Sequence, residues 1–590
     1  MKKRSQIDEK YKWDIGLFKT DEEIEDAFNA FEFLTKEIPT YYGKFNDKDK
    51  FFEFHTKYKK ENLLIDKLGF YISNLYNVDS SNTNVLKLYD RFSNAYTKLS
   101  QASSFVDPQI DDLDDEYLLS LLADERCKDL DNDIKKVIKN KKHKLDEKTS
   151  EIISKLGNSF SNSSTIHDLL GSSEIPFAKA ADSNGESFDV SSATYSSLVS
   201  STDRKLRETT FNSLMNGFSQ FNKTLAELYI SQLKKEKDFN KLCNYSNSIE
   251  ARLDEEDVPM SVFENNLKNV VKNIPVLQSF IKTKSEHSNI NQFAYYDLFK
   301  DEKISGEISI QNAHKLLIEA ISPLGDEYVN LVNKKLSDKS IDYMPNENKN
   351  SGAYCSNEYG CKTLILMNWT NDFNSLSTLA HEMGHCINAE YFNSSQPMEK
   401  AGITIFAAEI ASTVNEILLN HYMLNNCPNE HKLYYLNEFL DQVRSTIFRQ
   451  TLFSEFETFA HSSITNEVPI TYQDLNDKYF ELCKKYYGNS CVLPTNLQCE
   501  WSRIPHFYNS FYVYSYSTGL LTAICIVNRI LKDSTFKDKY IKFLKNGTNK
   551  PAVEILKEIG IDLTTDNPFD EAFEFIKMRL NEYKTEIKCR

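Results

Sequence analysis

Two histidines four residues apart, His381 and His385, flank a glutamate, Glu382, in the stretch STLAHEMGHCINAEYF that runs from Ser377 to Phe392. On a helix, residues at this spacing share one face about a turn apart, so both imidazoles can be directed at one metal ion. Glu382 then sits beside the pair, where it can reach a water on that ion instead of binding the ion itself. A His-Glu-x-x-His pattern of this kind is the arrangement of metal-assisted hydrolysis, with the acid as general base. The competing reading is a polar helix face whose histidines hold no metal.

A catalytic zinc site needs a third protein ligand and an open fourth position. Some enzymes supply the ligand in a longer motif, HExxHxxGxxH, but Asn388 stands at its glycine and Tyr391 at its last histidine. The alternative donor is a carboxylate on a second helix. The strongly helical run ITIFAAEIASTVNEILLNHYM places Glu409 in a small and apolar stretch, where an isolated acid needs a partner. A metal ion would suffice. Glu416, seven residues on, shares that face and reads either as an acceptor for the second nitrogen of a ligand histidine or as a plain surface acid.

The elements that must hold these groups follow from the flanking sequence. Asp372, Asn374 and Ser375 are all competent N-caps, so a helix starting among them carries His381 and His385 in its second and third turns. Just before it, CKTLILMNW (Cys361 to Trp369) reads as a strand, which puts a small β-sheet beside the HExxH helix. Elsewhere helical periodicity dominates. Ile24, Phe28, Phe31 and Leu34 form one stripe over Asp21 to Ile38, and helices are expected at Lys50 to Tyr76, Asn82 to Ser104 and Asp114 to Leu122. The lysine-rich stretch Asp131 to Leu156 reads as one or two more helices with a solvated face. Around Gly171 to Val190 the pattern breaks into two short extended segments about the turn Asn184-Gly185. On this composition shift the main boundary is placed near Ser200, dividing the chain into an N-terminal helical region, 1–199, and a catalytic domain, 200–590.

Composition narrows the function. A length of 590 residues exceeds what one compact core usually fills. Only 14 prolines and 17 glycines favour long helices, so the expected class is mainly α. A net charge of −16 argues against nucleic acid or an anionic membrane as partner. The basic N-terminus is followed by no apolar run, so neither a signal peptide nor a membrane span is expected. Eleven scattered cysteines do not form a disulfide framework, and a cytoplasmic location is expected.

At this point the sequence resembles the oligoendopeptidase F group of thimet-oligopeptidase-like zinc metallopeptidases. The resemblance begins with YKWDIGLFKTDEEIEDAF and continues through ISPLGDEYVNLVNKK and NSGAYCSNEYG. It is most specific in LILMNWTNDFNSLSTLAHEMGH, IFAAEIASTVNE, FRQTLFSEFE and WSRIPHFYNSFYVYSYSTG, which occur in that order. The family implies one zinc ion per chain, with ligands His381, His385 and Glu409 and with Glu382 as base. It also implies that His506 and tyrosines after it face the site and stabilise the tetrahedral intermediate. Tyr512 and Tyr516, four apart, are the leading candidates, ahead of Tyr508 and Tyr514. The implied fold has two helical lobes flanking a deep channel that admits short unstructured peptides, with KTLILMNW as an edge strand that pairs with the substrate backbone. Two rivals remain: a zinc protein without catalysis, and a cysteine enzyme using Cys386. A purely structural zinc site has no need of Glu382, and Cys386 lacks the context of a nucleophile.

Overall fold

The computed structural model describes residues 2–146, 148–149, 152–153, 162–300 and 306–589. Its first helix, α1 (Asp21–Glu37), opens with a reciprocal cap: the Thr20 hydroxyl accepts from the Glu23 amide, and the Glu23 carboxylate accepts from the Thr20 amide. The expected stripe faces inward, with Phe28, Phe31 and Leu34 buried and Ile24 packed at the margin. Next come α2 (Lys48–Val78), capped by Asp47, and α3 (Thr83–Ser103), capped by Asn82. With α1 they enclose a core whose members run from Ala27 to Ile134. The lysine-rich stretch forms a helix over Asp131–Asn140 and one turn over Lys141–His143. Part of its expected remainder, 147, 150–151 and 154–156, lies outside the described residues.

A second, larger core takes its members from Leu170 to Tyr583. At its start, β1 (Ala180–Ala181) pairs antiparallel with β2 (Ser187–Phe188) across the expected turn. Gly185 there has a φ of +82°, a conformation that glycine adopts without steric cost.

The other sheet comprises β3 (Ile341–Asp342), β4 (Tyr354–Ser356) and β5 (Leu364–Leu366), in the order β3-β5-β4. The expected edge strand, within KTLILMNW, is therefore the central one. Its neighbours take the hydrogen bonds on both sides, β3 in parallel and β4 antiparallel. Leu364, Ile365 and Leu366 are all fully buried, as an unbroken apolar run with both faces covered requires. The strand with an unpaired side next to the HExxH helix is β4. On one face of the sheet, Trp13, Ile15, Phe70 and Val78 pack against Leu364 and Leu366, tying α2 to the sheet beside the HExxH helix.

The HExxH helix, α4 (Phe373–Ser395), starts where the Asp372 carboxylate accepts from the Ser375 amide at 2.8 Å. Capping at the earliest of the three candidates sets the histidines about a turn deeper than expected. Helix α5 (Ile405–Asn426) packs directly on α4. The contact is backbone on backbone: a Cβ at Gly384 would lie 2.5 Å from the Ser412 Cα and 2.6 Å from the Ala411 carbonyl oxygen. Beside it the buried Asn415 side chain donates to the Ala380 carbonyl at 3.1 Å and accepts from the Tyr328 hydroxyl at 2.9 Å. Helix α6 (Arg449–Thr465) and helix α7 (Tyr514–Lys532) complete the set that positions the site, with α7 on α5.

Gly384→Ala tests this contact. Alanine is worth about 1 kcal/mol more than glycine in a helix interior. The added methyl meets backbone that cannot rotate away, and overpacking costs about 1–3 kcal/mol or more. The clash should win, so the variant is expected to unfold at lower denaturant concentration than wild type. An unchanged or raised midpoint would show that the helices are not held at this distance.

Candidate active site

Helices α4 and α5 bring three donor atoms together. His381 Nε2 and His385 Nε2 lie 3.1 Å apart, and Glu409 Oε2 lies 3.4 Å from the first and 3.6 Å from the second. Two ligands of one tetrahedral zinc ion, each about 2.0–2.1 Å from it, are about 3.3 Å apart. The triangle fits such an ion. All three side chains keep partial exposure, between 23 and 35%, so one side of the triangle is open to solvent.

The donors are oriented from behind. His381 Nδ1 is 3.2 Å from Glu416 Oε1, and Glu416 Oε2 accepts from the Gln442 side chain at 2.7 Å. A proton held on Nδ1 leaves the Nε2 lone pair facing the triangle. His385 is hydrogen-bonded to the Ala408 backbone, one residue before Glu409. Glu382 is not one of the three donors: it is buried and accepts from the backbone amide of Cys355 on β4.

The site's charge favours a cation. Burial lowers the His381 pKa, but Glu416, Glu382 and Glu409 outweigh it and raise the value to about 9. Burial, followed by the His381 charge, lowers His385 to about 4. Burial raises Glu382 to about 7, with Glu409 adding to it and His381 opposing. Three carboxylates around two imidazoles thus hold positive charge strongly, as a proton or as a metal ion. Groups so strongly perturbed and so close together mark a functional site.

The aromatic candidates divide cleanly. His506 and Tyr512 stack in parallel with centroids 5.6 Å apart, and Tyr516 meets Tyr512 edge-on at 5.6 Å and His506 at 6.4 Å. Tyr508 instead packs against His167 and Tyr229, and Tyr514 is buried against Phe263 and Phe406. Among the described residues no hydrogen bond joins the His506 cluster to the three donors. Helix α7 connects them, because Gly519, about a turn beyond Tyr516, faces Glu409: a Cβ there would lie 3.7 Å from that of Glu409. Burial, with the charges of Arg449 and Arg503, holds His506 below its ordinary pKa. Burial pushes the Tyr512 hydroxyl up, so it keeps its proton.

Two buried acids that the sequence reading did not single out brace this segment. Glu500 precedes His506 and accepts from Arg449 at 2.8 Å and from the Tyr479 hydroxyl at 2.7 Å. Glu457 on α6 accepts from the Phe511 amide at 2.9 Å. Phe511 has a φ of +58°, in a region that costs a bulky residue about 1–3 kcal/mol. The reading that makes Cys386 a nucleophile finds no setting here. Cys386 is fully buried, hydrogen-bonded to Cys355, and that bond together with burial pushes the Cys355 thiol well above its ordinary value.

Residues 197–575 match peptidase family M3, and residues 110–177 match oligopeptidase F. The first match covers His381, Glu382, His385, Glu409, His506, Tyr512 and Tyr516. The chain belongs to peptidase family M3. Oligopeptidase PepF of Bacillus subtilis is 31% identical over 98% of this chain and 88% of its own length. A peptidase structure from Chlamydophila abortus superposes with a TM-score of 0.92 at 29% identity, covering 99% of this chain and all of that one. Oligoendopeptidase-F from Enterococcus faecium gives 0.74 at 28% identity, over 97% of this chain and all of its own. The M3 peptidase is thus a mainly α metallo-oligopeptidase whose His-His-Glu cluster is compatible with zinc.

The Glu500 brace yields a pH prediction. Burial alone would raise its carboxyl, but Arg449 and then Arg503 lower it from 4.5 to about 2. A depressed folded-state value stabilises the fold above the unfolded pKa and is lost as pH falls through the folded one. Glu500→Gln, which leaves Arg449 buried and unpaired, should cost about 3–5 kcal/mol at neutral pH. The gap from wild type in unfolding free energy should shrink as pH falls from about 5 towards 2. A gap that is constant with pH would show that the carboxylate's charge is not what matters.

Proposed function

We propose that this peptidase is a zinc-dependent endopeptidase that cuts internal bonds of short, unstructured oligopeptides. The observation that carries the proposal is a triangle of three donors sized for one tetrahedral ion, with a buried acid beside it that is not one of the three. His381, His385 and Glu409 would hold one zinc ion per chain. When bound, zinc supplies Lewis-acid chemistry, polarising a carbonyl and acidifying water.

The chain's own residues supply the rest. Glu382 takes the proton of the attacking water and delivers it to the leaving amine. Its buried position, with one backbone amide as donor, gives it more proton affinity than an exposed glutamate has. His506, Tyr512 and Tyr516 are proton-bearing groups on one cluster and donate to the oxyanion that develops on the scissile carbonyl. The unpaired side of β4 offers amides and carbonyls to an extended peptide, reading backbone and not side chains.

The division of labour follows the same lines. Residues 1–199 form a helical region that flanks a substrate channel with the catalytic domain, 200–590, and the channel excludes folded proteins. The relatives named oligoendopeptidase F support peptides as the partner. The net charge of −16 speaks against nucleic acid or an anionic membrane surface. Among the described residues no helix is long and apolar enough to cross a membrane. We assign the enzyme to the cytoplasm, on its odd and scattered cysteines.

Glu382→Gln should keep its zinc and lose at least about 100-fold in peptide hydrolysis, measured as kcat beside metal content. Loss of the metal, or activity within about tenfold of wild type, would remove Glu382 from proton transfer. A timed digest of a peptide beside a folded protein of matching sequence tests the channel. Only the peptide should be cut, and equal cleavage would refute exclusion of folded substrates.

A further inference from the structure

Glu457 has no part in the steps above, yet its carboxyl is fully buried. One oxygen accepts from the Phe511 amide at 2.9 Å, and the other has no hydrogen-bond partner among the described residues. A buried carboxyl this poorly satisfied is costly, and such costs persist where the group holds something in place. What it holds is specific. Phe511 adopts its left-handed conformation immediately before Tyr512, between the short helix Pro505–Tyr508 that carries His506 and the start of α7.

The surroundings make α6 a platform under this segment. Phe456, next to Glu457, packs on Trp501 at 6.0 Å and on Phe507 at 5.1 Å. His461, one turn on, packs on the Phe511 ring at 4.5 Å. The rings are thus gripped by rings, while the one strained backbone unit is gripped by the Glu457 carboxyl. Without that acceptor the buried amide is orphaned and nothing offsets the strain at Phe511. Relaxation to an ordinary φ would turn the next residue, Tyr512, off the His506 ring it stacks on within 1° of parallel.

We propose that Glu457 is a positioning residue for peptide cleavage: through the Phe511 amide it fixes Tyr512 against His506. The proposal rests on the reading that this cluster donates to the oxyanion. Burial raises the Glu457 pKa to about 8, with the Phe511 bond and Arg252 opposing and Glu236 adding to it, so the acid is largely neutral at pH 7. A neutral amide oxygen can therefore take its place as acceptor.

The test measures kcat, KM, zinc content and melting temperature on a short peptide substrate for Glu457→Gln and Glu457→Met. Glu457→Met should lower kcat about 10- to 100-fold, with KM within about threefold and zinc unchanged, because misplacement of about 1 Å costs on that order. Glu457→Gln should stay within about threefold of wild type, since its amide oxygen accepts the same bond. Wild-type kcat in Glu457→Met, or equal losses of kcat and melting temperature in both variants, would overturn the proposal. Should Glu457→Met not fold, an ester in place of the Phe511 amide removes the donor and leaves every side chain intact. It should show the same loss of kcat, and no loss would overturn the proposal. Tyr512→Phe and His506→Asn serve as references. If Glu457→Met loses kcat and these two do not, the oxyanion reading itself fails.

Discussion

Everything at the site depends on how closely two helices approach. At Gly384 the backbone of α4 rests against that of α5, with no room for a Cβ. Only at this separation can a carboxylate as short as Glu409 reach the two imidazoles on the facing helix. The residues opposite Gly384, Ala411 and Ser412, are small for the same reason. Helix α7 repeats the device on the other side of α5, where Gly519 faces Glu409. The carboxylate is thus confined from two directions before any ion is bound, which lowers the ordering cost of coordination.

Electrostatics explains why so much charge is tolerated at a partly buried point. Glu382, Glu409 and Glu416 all act on His381, and their repulsion is relieved only by positive charge between them. A divalent cation satisfies that demand better than a proton, because it binds both imidazoles and the carboxylate at once. Burial keeps Glu382 avid for protons, with Glu409 adding to it against the His381 charge. As the proposed base, Glu382 is useful only beside a group that acidifies water, so donors and base are proposed to act as one unit.

The sequence makes the donors readable because helical period alone puts His381 and His385 on one face, and an acid isolated among alanines is conspicuous. Asp372 is recognisable as a cap, though not as the one chosen over Asn374 and Ser375. Other features depend on partners far along the chain and leave no local mark. A central strand and an edge strand differ in what lies beside them, so β5 was readable as a strand but not as the middle one; the unbroken run Leu364, Ile365, Leu366 was the available signal. The left-handed Phe511 carries no glycine to announce it, and its acceptor Glu457 sits 54 residues away. The resemblance ranks Tyr512 and Tyr516 ahead of Tyr508 and Tyr514, but only packing gives a physical reason, separating rings in the core from those stacked with His506. Gly384 is the reverse case, a visible glycine inside a motif whose purpose appears only once α5 lies against it.

The most direct measurement is zinc per chain after exhaustive dialysis, by elemental analysis, in wild type, Glu409→Ala and Glu416→Ala. If α5 supplies the third donor, wild type retains about one zinc and Glu409→Ala about none. Glu416→Ala keeps a site weakened about 10- to 100-fold, since it only orients His381. Retention of full zinc by Glu409→Ala, with loss in Glu416→Ala, would contradict the arrangement outright.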